Sequence, residues 1–196
     1  MIGEFEVGIE FFEALTEFDW SVAEAVQREG CPDCGGPLHR GDYERKPRFA
    51  LVGAEVESFA TRFSFCCGRE GCRHRRTPPS LRFLGRRVYV GAVVILASIV
   101  AVTQLAAAAA REATGVPGRT LRRWGSWWRG PFLTTSVFVE ISGRMVPAVD
   151  RSQLPAALLD RATVPFPGSL KKLLGWLAPL TTASCDEGSR FVRGCM

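Results

Sequence analysis

Residues 4 to 29 set Phe5, Ile9, Phe12, Leu15 and then Phe18 or Val22 three to four positions apart among acids. That period predicts an amphipathic helix with an acidic outer face, packed on the rest of the protein or serving as a lid or partner-binding helix. From residue 30 the period changes. Gly, Pro, Cys and Arg dominate up to residue 80, and "FATRFSFCC" puts Phe59, Thr61, Phe63 and Phe65 on one face, which predicts a short strand. After "TPPS" (77–80) and "LRFLGRR", residues 88–110 carry no charge. Beyond residue 130, Pro and Gly cut the chain into short pieces, with short helices expected at 153–162 and 169–178. Four regions follow: an acidic helix (1–29), a Cys-rich module (30–80), a helical region (81–130) and a weakly patterned C-terminal part (131–196).

The apolar segment "VYVGAVVILASIVAVTQLAAAAA" is long enough to span a bilayer, with Arg86 and Arg87 before it and Arg111 after it. Thr103 and Gln104 interrupt it, its last third is alanine, and it runs straight into "REATGVPGRTLRRWGSWWRG". A span is therefore the lesser reading. The favoured one is the first helix of a bundle, followed by a helix ending near Thr114, a left-handed turn at Gly115, Val116 pointing inward, and a second helix starting at Pro117. On that second helix Leu121, Trp124 and Trp128 share an inner face. Arg119, Arg122, Arg123 and Ser126 share the outer one, where arginines can read guanine or grip phosphate in a major groove. Trp127 is expected at the rim, or as a platform for the following "GPF" turn.

With 196 residues, 46% of them apolar and 23% charged, the chain has material for a core. A net charge of +5 favours an anionic partner, nucleic acid or a membrane surface. The charge is unevenly placed. Residues 1–30 carry net −7, whereas 31–87 carry +6 and 111–129 carry +4. The acidic beginning lacks the continuous apolar stretch of an export signal, so the cytoplasm is the expected compartment and the seven cysteines are expected as metal ligands or inert thiols.

Five of those cysteines lie between residues 31 and 72. Cys31-Pro-Asp-Cys34 can offer two thiolates from one turn, with Gly35 and Gly36 letting backbone N–H groups curl toward the sulfurs. Roughly thirty residues later "FCCGREGCRHR" supplies Cys67 and Cys72, within metal-pair spacing. Cys67 continues the face of Phe63 and Phe65, while Cys66, His74 and His39 remain alternative ligands. No βαβ pattern accompanies the C-x-x-C pair, which argues against a thioredoxin-type site. Four thiolates would close the shell of a structural Zn²⁺. Around it stand Arg40, Arg45, Lys46, Arg48, Arg62, Arg69, Arg73, Arg75 and Arg76, with Arg45, Lys46, Arg75 and Arg76 expected to contact phosphate. The fold class expected is thus α+β, a small β zinc ribbon followed by a mainly α-helical helix-turn-helix bundle.

The order CPxC, basic loop, strand ending in C-x4-CR, "TPP" turn, apolar helix and helix-turn-helix with "TLRRW" resembles the N-terminal DNA-binding region of bacterial insertion-sequence transposases. It also resembles small accessory proteins of such elements. The resemblance covers roughly residues 31–130. It implies Cys31, Cys34, Cys67 and Cys72 as zinc ligands and Arg119 to Ser126 as the recognition helix. A complete transposase also carries three carboxylates on two metal ions. After residue 130 only Glu140, Asp150, Asp160, Asp186 and Glu187 are acidic, and no Ser/His/Asp, Cys/His or phosphate-loop pattern occurs, so no catalysis is expected. The expected protein is a zinc-dependent, double-stranded-DNA-binding accessory or regulator. A transposase or a second copy of the chain is its further partner, a pairing surface comes from 131–196, and it takes no small-molecule substrate. The alternatives are a single-pass membrane protein spanning at 88–110 and a zinc-stabilised adaptor whose basic face meets an acidic partner.

Overall fold

The structure, a computed structural model, describes residues 7–45, 59–84, 89–103 and 107–181. A helix of 21 residues, α1 (Ile9–Glu29), comes first; Gly30, at φ 79°, ends it and donates its N–H to the Gln27 carbonyl at 3.3 Å. Phe11, Phe12 and Leu15 are buried on its first half, Ala23 and Val26 on its second. Two details depart from the periodic reading. Ile9, placed on the inner face by spacing, is exposed in the first turn, and Asp19, counted among the outer acids, is buried. Phe5 lies outside the described residues.

The Cys-rich module forms two small antiparallel sheets. Strands β1 (Leu38–Arg40), β4 (Phe65–Cys67) and β5 (Arg75–Arg76) make one, in the order β1-β4-β5; β2 (Tyr43–Glu44) and β3 (Thr61–Arg62) make the other. Leu38 faces Cys67, Phe65 faces Arg76 and Tyr43 faces Arg62. The strand expected through 59–67 is therefore two strands. The break falls at Phe63 and Ser64, because the Gly41–Asp42 corner docks there: Asp42 Oδ1 accepts from Ser64 N at 2.9 Å and Gly41 N donates to Ser64 O at 2.8 Å. The alternation survives the break, and Phe63, Phe65 and Cys67 are all buried.

Seven α-helices occur among the described residues. Within 88–110 lies α2 (Gly91–Thr103), of 13 residues, and α3 (Ala107–Thr114) begins there and runs past its end. No helix among the described residues is long and apolar enough to cross a membrane. Every residue from Gly91 to Ile99 is buried, and α2 packs on α3, on α4 (Gly118–Arg129) and on α7 (Gly168–Leu177). The α2–α7 approach needs Gly91, since a Cβ there would lie 2.8 Å from Leu174 Cδ2 and 3.3 Å from the Leu81 carbonyl oxygen. Between α4 and α7 come a 3-10 turn (Pro131–Thr134), α5 (Ser136–Ser142), a second turn (Arg151–Gln153) and α6 (Ala156–Asp160). The helix expected at 153–162 is shorter, and α5 was not expected at all. Its signal was local, since Thr135 caps it by accepting from Phe138 N at 3.2 Å. Leu170, Leu173, Leu174, Trp176 and Leu177 of α7 are buried in the main cluster, so its apolar face packs against the bundle.

Two apolar clusters result, in a mixed α+β fold with small antiparallel sheets. The larger runs from Val7 through the helices to Ala178; the smaller joins Ala23 and Val26 to Cys31, Leu38, Phe63, Phe65 and Cys67. Helix α1 contributes its first half to one and its second half to the other.

Candidate metal centre

Chain reversal after α1 delivers the first two cysteines. Cys31 N donates to the Gly36 carbonyl at 2.9 Å and Gly35 N to the Cys31 carbonyl at 2.7 Å, closing a turn with Gly35 at φ 67°. The second pair comes from the end of β4 and the turn that follows, where Gly71 has φ 83° and Cys72 N donates to the Arg69 carbonyl at 3.2 Å. The Sγ atoms of Cys31, Cys34, Cys67 and Cys72 all lie within 4.8 Å of one another, an arrangement that could hold a metal ion.

The spacing tests the fit. Cys31 Sγ and Cys72 Sγ are 3.7 Å apart, and Cys34 Sγ and Cys67 Sγ are 3.5 Å apart. A disulfide would need ~2.05 Å. Four sulfurs on a tetrahedron with metal–sulfur bonds of ~2.3 Å have edges of roughly 3.8 Å, which these separations approach. Gly36 is required by the crowding: a Cβ there would meet Cys67 Sγ at 3.1 Å and Cys34 Sγ at 3.2 Å.

Backbone N–H groups face the sulfurs. The Gly36 N–H on Cys34 brings that thiol down to about 7, the largest of several influences. Arg69 N lies 3.4 Å from Cys67 Sγ. That contact favours the Cys67 thiolate, yet burial and the neighbouring Cys34 sulfur outweigh it and raise Cys67. The His74 N–H acts in the same sense on Cys72, but the Cys34 sulfur, burial and the other two thiols push it up to about 12. Cys34 thus ionises readily, whereas Cys67 and Cys72 resist. Four thiolates coexist here only with a cation among them, which is the chemistry of a metal centre.

Other groups fasten the two turns together. Arg69 Nη1 donates to the Cys34 carbonyl at 2.7 Å, and His74 Nδ1 lies 2.8 Å from Asp33 Oδ2, each of that pair favouring the charged form of the other. His74 is exposed and engaged with Asp33; His39 is exposed with its ring beside Gly68. Neither belongs to the sulfur cluster. Cys66 does not belong to it either: the residue is half-buried, and its Sγ lies 3.5 Å from the Arg73 carbonyl. Sequence reasoning missed the Asp33–His74 and Arg69 clasps, which join residues 35 to 41 positions apart with no local signal.

The bases expected around the centre divide. Arg75 is exposed, donates to the Gly41 carbonyl at 3.0 Å and sits 5.3 Å from the Tyr43 ring; Arg76 is half-buried. Arg45 is half-buried, 4.8 Å from the Phe83 ring, and burial lowers its pKa. Arg62 is no surface base: it is 2% exposed, donates to the Pro78 carbonyl at 2.5 Å, and burial brings it down to about 10. Lys46 and Arg48 lie outside the described residues, as do Cys185 and Cys195.

On the helical side, α3 ends at Thr114, Gly115 has φ 65°, Val116 is fully buried and Pro117 precedes α4. Thr114 Oγ1 accepts from Val116 N at 3.2 Å and donates to the Ala110 carbonyl at 2.7 Å, which fixes the turn. Leu121, Trp124 and Trp128 are buried, while Arg119, Arg122, Arg123 and Ser126 are exposed. Trp128 Nε1 donates to Ser98 Oγ at 3.1 Å, and the Trp127 ring centre lies 5.1 Å from that of Phe132 in the "GPF" turn. The chain matches no protein-family model, no curated protein and no solved structure.

Proposed function

We propose that the chain is a zinc-dependent DNA-binding protein, an accessory or regulator related to insertion-sequence transposases that works by binding and has no catalytic domain of its own. One observation carries this reading. Helix α4, held after a tight turn by Leu121, Trp124 and Trp128, turns Arg119, Arg122, Arg123 and Ser126 to solvent. A buried aromatic anchor with a basic outer face, docked through a left-handed glycine onto the preceding helix, is what a recognition helix of a helix-turn-helix requires. The four-sulfur cluster supports zinc, the usual occupant of a closed tetrahedral thiolate set, in a structural role that leaves no site for water. Such an ion would hold the sheet module as a ribbon and present Arg75 and Arg76 beside it. Two of the carboxylates past residue 130 have structural uses: Glu140 pairs with Arg144 at 2.9 Å and Asp150 caps the 151–153 turn.

Fluorescence anisotropy with duplex DNA over a range of salt tests this. Arg122→Ala with Arg123→Ala is expected to weaken binding at least about tenfold and to flatten the slope of log K against log salt by roughly 1.8, about 0.9 per lost phosphate contact. Unchanged affinity and slope would remove α4 from the interface.

A further inference from the structure

Away from the sulfur cluster, a cavity of about 150 Å³ opens between α2, α3 and α4. Its wall is apolar, built mainly from Ala101, Val102, Ala110, Leu121, Trp128 and Leu154. Among its described lining residues the one hydroxyl, Ser98, is already engaged, donating to the Val94 carbonyl at 2.6 Å and accepting from Trp128 Nε1 at 3.1 Å. A volume of ~150 Å³ is that of a cavity that takes a benzene-sized guest. The rim has the opposite character. Arg122 and Arg129 both border the cavity, and each stands four residues after a glycine that also lines it, Gly118 and Gly125.

A Cβ at Gly118 would sit 3.8 Å from Arg122 Nη1, and one at Gly125 would sit 3.2 Å from Arg129 Nη2. Each guanidinium therefore lies back over its glycine at the mouth. Among the described residues neither guanidinium has a hydrogen-bond or ion-pair partner. We propose that this cavity binds a small organic anion, an aromatic carboxylate of benzoate size, with its ring against the half-exposed Ala101 and Val102 and its acid group at Arg129. Arg122, the other cation bordering the cavity, is shared with the proposed DNA face, so an acid bound here lies beside that face.

The test is a titration of the zinc-loaded full chain with benzoate and with benzyl alcohol, without DNA, read by saturation-transfer NMR. Saturable benzoate binding is expected in the millimolar range or tighter, about fivefold or more ahead of the neutral alcohol. Ala101→Leu, which fills the cavity, abolishes both; Arg129→Gln, at an exposed position that folding does not depend on, weakens benzoate about fivefold and leaves the alcohol unchanged. Absence of saturation by wild type at roughly 10 mM, or equal affinity of acid and alcohol, overturns the site. Because no DNA is present, its failure leaves the DNA-binding reading standing, and failure of that reading leaves the cavity untouched.

Discussion

The Cys-rich module and the helical bundle share one helix yet are held together by different physics. Among the described residues the bundle buries 35 apolar side chains in one cluster, whereas the module buries seven, two of which are cysteines. A cluster that small rarely orders a chain of strands two or three residues long, and natural modules of this size lean on coordination or disulfides. The bundle needs no such aid. Helix α1 belongs to both, Phe12 and Leu15 to the large cluster and Ala23 and Val26 to the small one, so the module is anchored on a beam whose other end the bundle already fixes. Loss of an ion from the four sulfurs and loss of the bundle are therefore expected as separable events, joined through α1.

The largest effect expected from this difference is metal removal. A chelator, or Cys31→Ser, should release about one zinc per chain and melt the sheet module, since apparent coordination energies of ~10–16 kcal/mol are then lost from a module with little else. Helical circular dichroism should persist, because α2 to α7 do not depend on the sulfurs. Acid should act likewise: thiolates reprotonate as pH falls, so metal affinity falls with it. Concerted loss of helix and sheet on chelation would show that the two regions are one cooperative unit.

Second in size is the joint between them. Asp19, in the middle of α1, accepts from Ser80 Oγ at 2.5 Å, Leu81 N at 2.6 Å and Arg82 Nε at 2.8 Å, while Arg82 Nη1 donates to the Phe59 carbonyl at 2.9 Å. Both side chains are at most 2% exposed. Asp19→Ala strands a buried guanidinium and should lower stability to urea by about 3–5 kcal/mol, with Arg82→Leu added on top recovering part of the loss. A loss below ~1 kcal/mol would mean that the beam is not fastened here.

This joint is also where the sequence was least informative. Helix α1, the four sulfurs, the Gly115 turn and the two faces of α4 could be read beforehand, because each is set by spacing within a dozen residues or by cysteine pairs with few other uses. Asp19 looked like one more acid on an acidic face. Its partner is 63 residues away, and no local period distinguishes a carboxylate that faces water from one that receives three hydrogen bonds. Arg62 was misplaced for the same reason, as a base in a basic region. The segment 88–110 showed the converse limit: absence of charge marks burial without saying whether lipid or protein provides it.

A change confined to the bundle should be smaller still and leave the metal in place. Trp128→Phe removes the indole N–H from Ser98 and part of a side chain that has no exposed surface, which should reduce stability by about 1–3 kcal/mol. Zinc content should stay at one per chain. Loss of metal from this variant would contradict the separation of the two regions.

The smallest effect decides between adjacent cysteines. Cys67 faces inward with Phe65 and Phe63, has no exposed surface, and lies 3.5 Å from Cys34 Sγ. Cys66 has the opposite strand parity, pairs across the sheet with His39 and Arg75, and lies outside the sulfur cluster. Cys66→Ser should therefore keep a full equivalent of zinc and change stability by no more than ~0.5 kcal/mol, the range of an ordinary surface replacement. Cys67→Ser should lose the ion. If the two variants exchanged behaviour in elemental analysis, β4 would have to slip by one residue, which would turn Phe65 out of the small cluster and expose it to water.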